Sequence, residues 1–308
     1  MTAQETNRGQ ALISSRERNK VLSEGQALII ILLVLAVAST IVLSLISRTT
    51  TDIAITTKEK EASRAFSAAE AGVEEALVGG PSSGTLPGGE TYQVQVGAVA
   101  EGATDFPIPQ KLLAGETLPV WFVSHADDGT LTCSGKPCFA GSTIKLCWGD
   151  EGTDPNSSTA PALEVVVLYA ATPGDYRTIR VARTPYDPNS ARRASNNFSA
   201  PDPGSCTISG VNYAFGKTVN FSDLGIPASV YNTANGLQTA RLRLFYNTDS
   251  SHSVGVNVGN PLPAQGTRIE STGLAEESTR KIEVFELYPD LPPIFDFAVF
   301  GGSGDLTK

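Results

Sequence analysis

The four cysteines are the residues whose types and spacing point most directly to chemistry. Cys133 and Cys138 flank the turn-forming sequence SGKP, Cys147 falls in a predicted strand, and Cys206 follows a polar loop. All four lie well beyond an apolar segment near the N-terminus, which suits an oxidising exterior where disulfides persist. We predict the pairs Cys133–Cys138 and Cys147–Cys206, although four cysteines allow three connectivities.

Two other interpretations of the cysteines stay open. A zinc site would need ligands at short paired spacings, which these cysteines lack, and only two histidines could add to them. Free buried thiols are the other alternative, and an oxidising compartment disfavours them. We expect no metal and no cofactor.

Acidic residues and histidines are the remaining candidates for a chemical site. Two predicted turns could place carboxylates around calcium, through Asp127, Asp128, Asp150, Glu151 and Asp154. Their spacing misses the twelve-residue calcium loop, so solvated turns are the better interpretation. His125 and His252 lie in no recognisable catalytic motif, and we predict no catalytic residues and a protein that is not an enzyme.

An uncharged run of 22 residues, Gln26–Ser47, lies on the N-terminal side of these candidates. As a helix it would be about 33 Å long, enough to cross the hydrocarbon core of a lipid membrane. Good helix formers continue beyond the run, so we predict one helix over residues 26–80. Gly79, Gly80 and Pro81 should end it, because glycine accepts the left-handed cap and proline donates no backbone hydrogen bond.

The second half of this predicted helix is amphipathic. Apolar residues recur at steps of three and four on one face, namely Phe66, Ala69, Val73, Ala76 and Leu77. Such a stripe requires a packing partner. Within the membrane run, Ala36, Thr40 and Ser44 are spaced four apart and predict a ridge where another helix can approach closely, although these residue types are also common in membrane helices without such a role.

Charge and composition restrict the class of protein. The 308 residues carry a net charge of −9 without a dense Lys/Arg block, which argues against a nucleic-acid partner. Within about ten residues of the apolar run, the N-terminal side has three positive charges and the other side only Arg48. The positive-inside rule therefore predicts a cytoplasmic N-terminus and an exported remainder.

The chain beyond the helix is rich in Thr, Ser, Val, Asn and Gly, a composition typical of strands and turns. Alternating patterns predict strands at Thr91–Val96, Val120–Ser124, Thr143–Trp148, Ala162–Ala171, Tyr176–Arg183, Val211–Phe215, Ala240–Tyr246, Val254–Val258, Arg268–Thr272 and Arg280–Leu287, the last two forming a hairpin. Residues 184–203 should form a surface loop. For residues 288–300, docking on the domain or on a neighbour and a plain core strand are equally open.

The N-terminal region also carries a family resemblance. The polar leader ending at Gly25, the apolar helix and the sequence SRAFSAAEAGVEEAL over residues 63–77 together make residues 24–78 resemble PilX-type minor pilins and related assembly proteins of type IV pili. The resemblance implies that a prepilin peptidase cuts after Gly25 and methylates the new N-terminal residue, Gln26. It further implies that the helix packs with other pilin subunits on a pilus assembly platform.

Two positions depart from the pattern of major pilins. Those proteins usually have Phe as the first mature residue and Glu as the fifth, where this chain has Gln26 and Ile30. The glutamate is thought to pair with the N-terminal amine of a neighbouring subunit, an interaction that isoleucine cannot make. The departure favours a minor or filament-initiating subunit.

These observations lead to one expected fold and two expected functions. We predict an α+β protein with a leader at residues 1–25, a continuous transmembrane and amphipathic helix at 26–80, and a mostly antiparallel β-rich exported domain at 81–308. The first expected function is that of a minor pilin-like subunit, anchored in the cytoplasmic membrane, that joins or primes a surface filament. The alternative is a single-pass, membrane-anchored surface binding protein that never polymerises.

Overall fold

The computed structural model describes the backbone of residues 9–290 and the side chains of residues 26–290. Part of the predicted leader therefore lies outside the described residues. The whole segment from residue 291 onward lies outside them as well. Helix α1 comprises Gly9–Leu77 and ends where the sequence predicts. Gly79 has a φ of 71°, and its N–H donates to the Ala76 carbonyl while the Gly80 N–H donates to the Glu75 carbonyl. These are the two hydrogen bonds of a Schellman cap.

Beyond α1 the described chain is dominated by antiparallel strands, which confirms the predicted α+β class. Short α2 (Ser190–Asn196) and α3 (Ala228–Tyr231) and 3-10 helices Tyr176–Thr178 and Phe221–Leu224 interrupt them. In chain order the strands are β1 Ser83–Thr85, β2 Thr91–Ala98, β3 Asp105–Pro107, β4 Thr117–Trp121, β5 Ser124–His125, β6 Leu131–Thr132, β7 Thr143–Asp150, β8 Ala162–Ala170, β9 Ile179–Tyr186, β10 Cys206–Ile208, β11 Val211–Asn220, β12 Leu237–Phe245, β13 Val254–Val258, β14 Gly266–Ala275 and β15 Ser278–Leu287.

The C-terminal part of α1 packs on a four-stranded sheet with the order β1-β2-β14-β15. Small residues make this contact possible: Ala65, Ala68 and Ala69 are fully buried on the helix. Gly273 of β14 lies against the α1 backbone at Ala65 and Ala69, so closely that a Cβ atom would overlap it. The helix and the sheet therefore meet almost backbone to backbone.

The domain covers only part of the predicted packing stripe. Ala69 is buried, and Val73 and Ala76 pack against the sheet, but Phe66 and Leu77 are 47% and 52% exposed. The face that docks is the neighbouring one, which carries only Ala and Gly near its centre. The domain selects this face because close backbone approach requires the smallest side chains, and Phe66 and Leu77 stay available to another partner.

The remaining large unit is inserted between β2 and β14, which are themselves hydrogen-bonded neighbours. Residues 99–265 form a five-stranded sheet, β10-β11-β7-β13-β3, and a four-stranded sheet, β4-β12-β8-β9. The inward-facing side chains of both sheets belong to one buried cluster that includes Trp148, Phe215, Val165 and Leu242. The two sheets therefore pack face to face as a β-sandwich.

Specific contacts fix the sandwich to the helix-bearing sheet. The Gln265 side chain accepts a hydrogen bond from the Trp121 N–H (2.8 Å) and donates one to the Trp121 carbonyl (2.9 Å). Beyond β15, the Tyr288 ring stacks on His125 at a centroid distance of 3.9 Å, and Asp290 forms an ion pair with the buried Arg241 of β12. Both strands of the C-terminal hairpin are therefore held to the sandwich at the open end of the hairpin.

The predicted strands overlap observed ones with shifted boundaries, and the hairpin is confirmed as β14 and β15 joined at Glu276–Glu277. The surface loop predicted for residues 184–203 is wrong in part. It contains α2, and Asp187 in it is fully buried in an ion pair with Arg192. Arg192 also donates to the carbonyls of Ser158 and Ala160, so the segment is a packed connection.

The close approach of α1 to β14 yields a test. We expect Gly273→Val to cost about 1–3 kcal/mol of unfolding free energy, because the new side chain would force the helix away from the sheet. Hydrogen exchange of the full chain in detergent should show faster exchange in residues 61–77 and in β14. Gly97→Val is the control, since Gly97 of β2 has open space around it. Equal protection in both variants would contradict the packing.

Candidate functional site

The candidate functional site is the part of α1 that the domain leaves uncovered. Every described side chain from Gln26 to Lys60 is exposed. The helix over Gln26–Leu77 passes the length and composition criteria for a membrane span, and its most apolar 18-residue window has a mean hydropathy of 3.1 with none of it buried in the fold. The chain therefore has one candidate membrane-spanning helix, near its N-terminus, in the described residues.

The predicted small-residue ridge lies on this uncovered helix. Ala36, Thr40 and Ser44 are all exposed, and Thr40 and Ser44 border a shallow groove of about 290 Å³ along the helix surface with Ile41, Leu45 and Arg48. The Thr40 hydroxyl donates to the Val37 carbonyl at 2.8 Å, within its own helix. The Thr40 hydroxyl is thus bonded within its own helix, and the small side chains of the ridge leave a low-relief surface that a second helix could approach.

The predicted processing site lies within the helix. The backbone at Gly25 and Gln26 is helical, and α1 begins upstream at Gly9. Glycine is the weakest helix former after proline, so Gly25 marks the point where local unwinding of this run costs least. Cleavage there would leave the whole exposed apolar helix on the mature chain.

A stalk joins the apolar run to the docked part of α1, and its exposed apolar residues are unusual. Ile53 and Ile55 lie beyond Arg48 and are 62% and 50% exposed. Phe66, where the helix already touches the sheet, points away from it. Ile55, Phe66 and Leu77 follow one another at intervals of 11 residues, about three helical turns, so they form a nearly straight line on one face.

Arg64 sets the point where the free stalk becomes part of the domain. Its guanidinium forms an ion pair with Glu90 and donates to the Gly88 carbonyl at 2.5 Å, in the loop between β1 and β2. The amphipathic pattern of the sequence does not reveal this role. Its partner comes from a turn 26 residues away, and no local pattern signals the pairing.

Both predicted disulfides are present. Cys133 and Cys138 close a short loop after β6, with their Cα atoms 5.5 Å apart. The Cys147–Cys206 bond lies on the outer face of the five-stranded sheet, packed with Ile208 and Tyr213. It passes over β11 at Gly216, where a Cβ would lie 2.7 Å from the Cys206 sulfur. A glycine at that position leaves room for the bond.

The histidines and acidic turns hold structural roles. His125 lies edge-on to Trp121, with ring centroids 4.6 Å apart, and stacks on Tyr288, while the Nδ1 atom of His252 accepts the Asp150 N–H at 3.1 Å. Asp150 also pairs with Lys111 at 2.7 Å. Among residues 9–290 no group of three or more His, Cys, Asp or Glu side chains is placed to hold a metal ion.

Comparison with known proteins gave no match: no family model, no curated protein and no solved structure matches the chain. The case for function therefore depends on the residues and their geometry.

His252 makes the stability of the sandwich depend on pH. Burial lowers its pKa and Lys111 adds to this, while Asp150 and Asp249 oppose it. The His252 imidazole takes up a proton more readily in the unfolded chain than in the folded one. Its contribution to the free energy of unfolding is therefore complete above the unfolded pKa of about 6.5 and is lost as the pH drops below that value. The loss approaches about 1.4 kcal/mol for each unit by which the two pKa values differ.

Urea unfolding of the full chain in detergent between pH 7.5 and 5, followed by tryptophan fluorescence, measures this dependence. We expect His252→Gln to flatten it in part, since burial also lowers the pKa of His125. An unchanged slope in the variant would show that His252 does not contribute.

Proposed function

We propose that this protein is a minor pilin-like subunit that a prepilin peptidase cuts after Gly25 and methylates at Gln26. It then joins, or primes, a surface filament through α1. Its partners are other pilin subunits, the pilus assembly platform and, before assembly, the lipid membrane. The observation that carries the proposal is that one unbroken helix is fully exposed over residues 26–60 and then docked onto the domain.

The continuity of α1 favours assembly over simple anchoring. An anchor needs only a membrane span and a linker of any kind, whereas a rigid stalk transmits the position of the membrane helix to the domain. When neighbouring subunits replace lipid around the helix, a stalk clamped at Arg64 and Gly273 places each domain at a defined offset from the next.

The exposed apolar residues outside the apolar run also favour assembly over simple anchoring. Ile53 and Ile55 would remain in contact with water in a lone anchored chain, since they lie beyond Arg48. Packing against neighbouring helices would remove that apolar surface from water, a gain of roughly 25 cal/mol for each Å². A non-polymerising anchor gives these residues no such partner.

Topology and subunit type follow from the N-terminal residues. The positive charges before the apolar run, together with two disulfides after it, support a cytoplasmic N-terminus and an exported β domain. Ile30 is 59% exposed on the free helix and offers no carboxylate to a neighbouring amine. This supports a minor or initiating position rather than that of the repeating subunit.

Processing is the first consequence to test. The intact mass and the N-terminal peptide of protein purified from its own membranes should show a chain that begins at a methylated Gln26. We expect Gly25→Leu to retain residues 1–25, because the bulky side chain would occupy the position before the cut, and Ser23→Ala to be processed normally. A wild-type chain with residues 1–25 still attached would instead identify a static membrane anchor.

Assembly is the second consequence. We expect Ile55→Glu to reduce incorporation into sheared surface filaments at least about tenfold, because a buried unpaired carboxylate between packed helices is strongly unfavourable. Thr56→Glu adds the same charge on the side of the helix that already carries Asp52 and Glu59, and it serves as the matched control. Immunoblotting should find both variants in the membrane fraction. Equal filament content in all three chains would argue that Ile55 faces no partner.

A further inference from the structure

A polar cavity of about 500 Å³ lies in the sandwich, far along the sequence from α1. Its walls come from the end of β9, from β11, from the 3-10 helix Phe221–Leu224 and from the segment Ser199–Asp202. This volume is within the range of roughly 300–1,000 Å³ typical of small-molecule sites. Most such sites are largely apolar, whereas hydroxyl, carboxylate and amide groups dominate this lining.

The segment Ser199–Asp202 is held firmly on both sides of the cavity. The Ser199 N–H donates to the Pro185 carbonyl at 3.1 Å, and the Asp187 N–H donates to the Ser199 carbonyl at 2.9 Å. At the other end the Asp202 N–H donates to the Gly216 carbonyl at 2.8 Å. The segment thus bridges the two sheets of the sandwich, and the cavity wall is pre-formed.

Asp202 and Lys217 fix the charge on one wall. The Lys217 ammonium lies 2.7 Å from one Asp202 oxygen, and the Thr218 N–H donates to the other oxygen at 2.8 Å. Burial alone would raise the pKa of Asp202, but the hydrogen bonds from Lys217 and Thr218 outweigh it and lower the pKa. The Asp202 carboxylate is therefore ionised at neutral pH and forms an ion pair with Lys217.

Asp223 and Tyr186 complete the polar character of the cavity. Asp223 accepts one hydrogen bond from the Asn220 side chain at 2.9 Å, which leaves most of the acceptor capacity of its carboxylate available. Burial raises the pKa of Tyr186, so its phenol is neutral at physiological pH. Among the lining residues Asp223 therefore adds a carboxylate that is not paired with Lys217, while Lys145, opposite Thr218 on β7, places a positive charge near Asp202.

These properties select the class of ligand. The lining offers carboxylates, hydroxyls and an amide, and its one ammonium is paired with Asp202, so it suits an anionic ligand poorly. The polar lining would also leave buried groups unpaired around an apolar ligand. A neutral polyol satisfies the carboxylates, hydroxyls and amide with its own hydroxyl groups. Tyr186, Val219 and Leu224 offer small apolar surfaces for the C–H faces of a ring. We propose that this cavity binds one neutral sugar unit, so that the exported domain carries a saccharide site.

The site is independent of the assembly surface. The cavity belongs to the inserted sandwich, and no residue of α1 lines it. A chain that fails to enter filaments would still bind sugar, and one that assembles normally could lose sugar binding. The saccharide proposal and the assembly proposal can therefore be disproved independently of each other.

The test is saturation-transfer NMR on the full chain in detergent micelles, with methyl glycosides of neutral hexoses and N-acetylhexosamines as probes. Glucuronate is the anionic comparison. We expect transfer to at least one neutral glycoside and none to glucuronate. Failure of every neutral glycoside at about 10 mM, which corresponds to roughly −3 kcal/mol, would overturn the proposal, as would a preference for glucuronate.

Variants locate the binding in this cavity. Asp223→Asn should weaken affinity about tenfold, because it removes a charged acceptor, and Thr184→Trp should abolish binding by filling the space. Asp127→Asn is the matched control, since the Asp127 side chain is fully exposed in another loop. Near-ultraviolet circular dichroism verifies that each variant is folded. Binding that survives Thr184→Trp in a folded chain would place the sugar elsewhere and overturn the assignment.

The same measurement separates two sources of the sugar. Transfer from oligosaccharides as strong as from the methyl glycosides would indicate a chain-borne glycan as the ligand. Transfer from monosaccharides alone would indicate a free sugar. Both outcomes support a saccharide site.

Discussion

The architecture depends on the contact between α1 and β14. Ala65, Ala69 and Gly72 on the helix meet Gly273 and Ser271 on the strand at distances that permit almost no side chain. Close-packed backbones gain dispersion energy over many atom pairs, and they leave no slack for sliding or rotation. The orientation of α1 relative to the domain is therefore fixed by the glycine and alanine positions that allow the two backbones to approach closely.

The order of the contacts along α1 shows which end of the domain lies nearest the apolar run. Residues 65 and 69 of α1 lie against Gly273, and residue 72, one turn further from the apolar run, lies against Ser271. Strand β14 therefore runs back toward the membrane end, where the turn Glu276–Glu277 lies close to Arg64. The sandwich is attached at the opposite end of β2 and β14, so it is the part of the domain most distant from the apolar run.

Local sequence patterns predict much of the fold. The apolar run, the alternating strands and the glycine cap each follow from neighbouring residues, and the Cys133–Cys138 loop from a short turn. The helix face that docks on the domain could not be predicted, because its small side chains are meaningful only beside Gly273, some 200 residues away. The burial of Asp187 could not be foreseen either, since its partners Arg192 and Asn196 resemble ordinary loop residues. No periodicity signals a cavity walled by three separate stretches of the chain.

The insertion between β2 and β14 couples the folding of the two units. Pairing of these strands must close the chain over residues 99–265, at an entropy cost that grows with the logarithm of loop length. A folded sandwich removes most of that cost because it already holds its two ends together: the Gln265 N–H donates to the Val99 carbonyl at 2.8 Å. The folded sandwich thus stabilises the sheet that receives α1. Damage to the sandwich core would therefore also loosen the docking of α1 on that sheet.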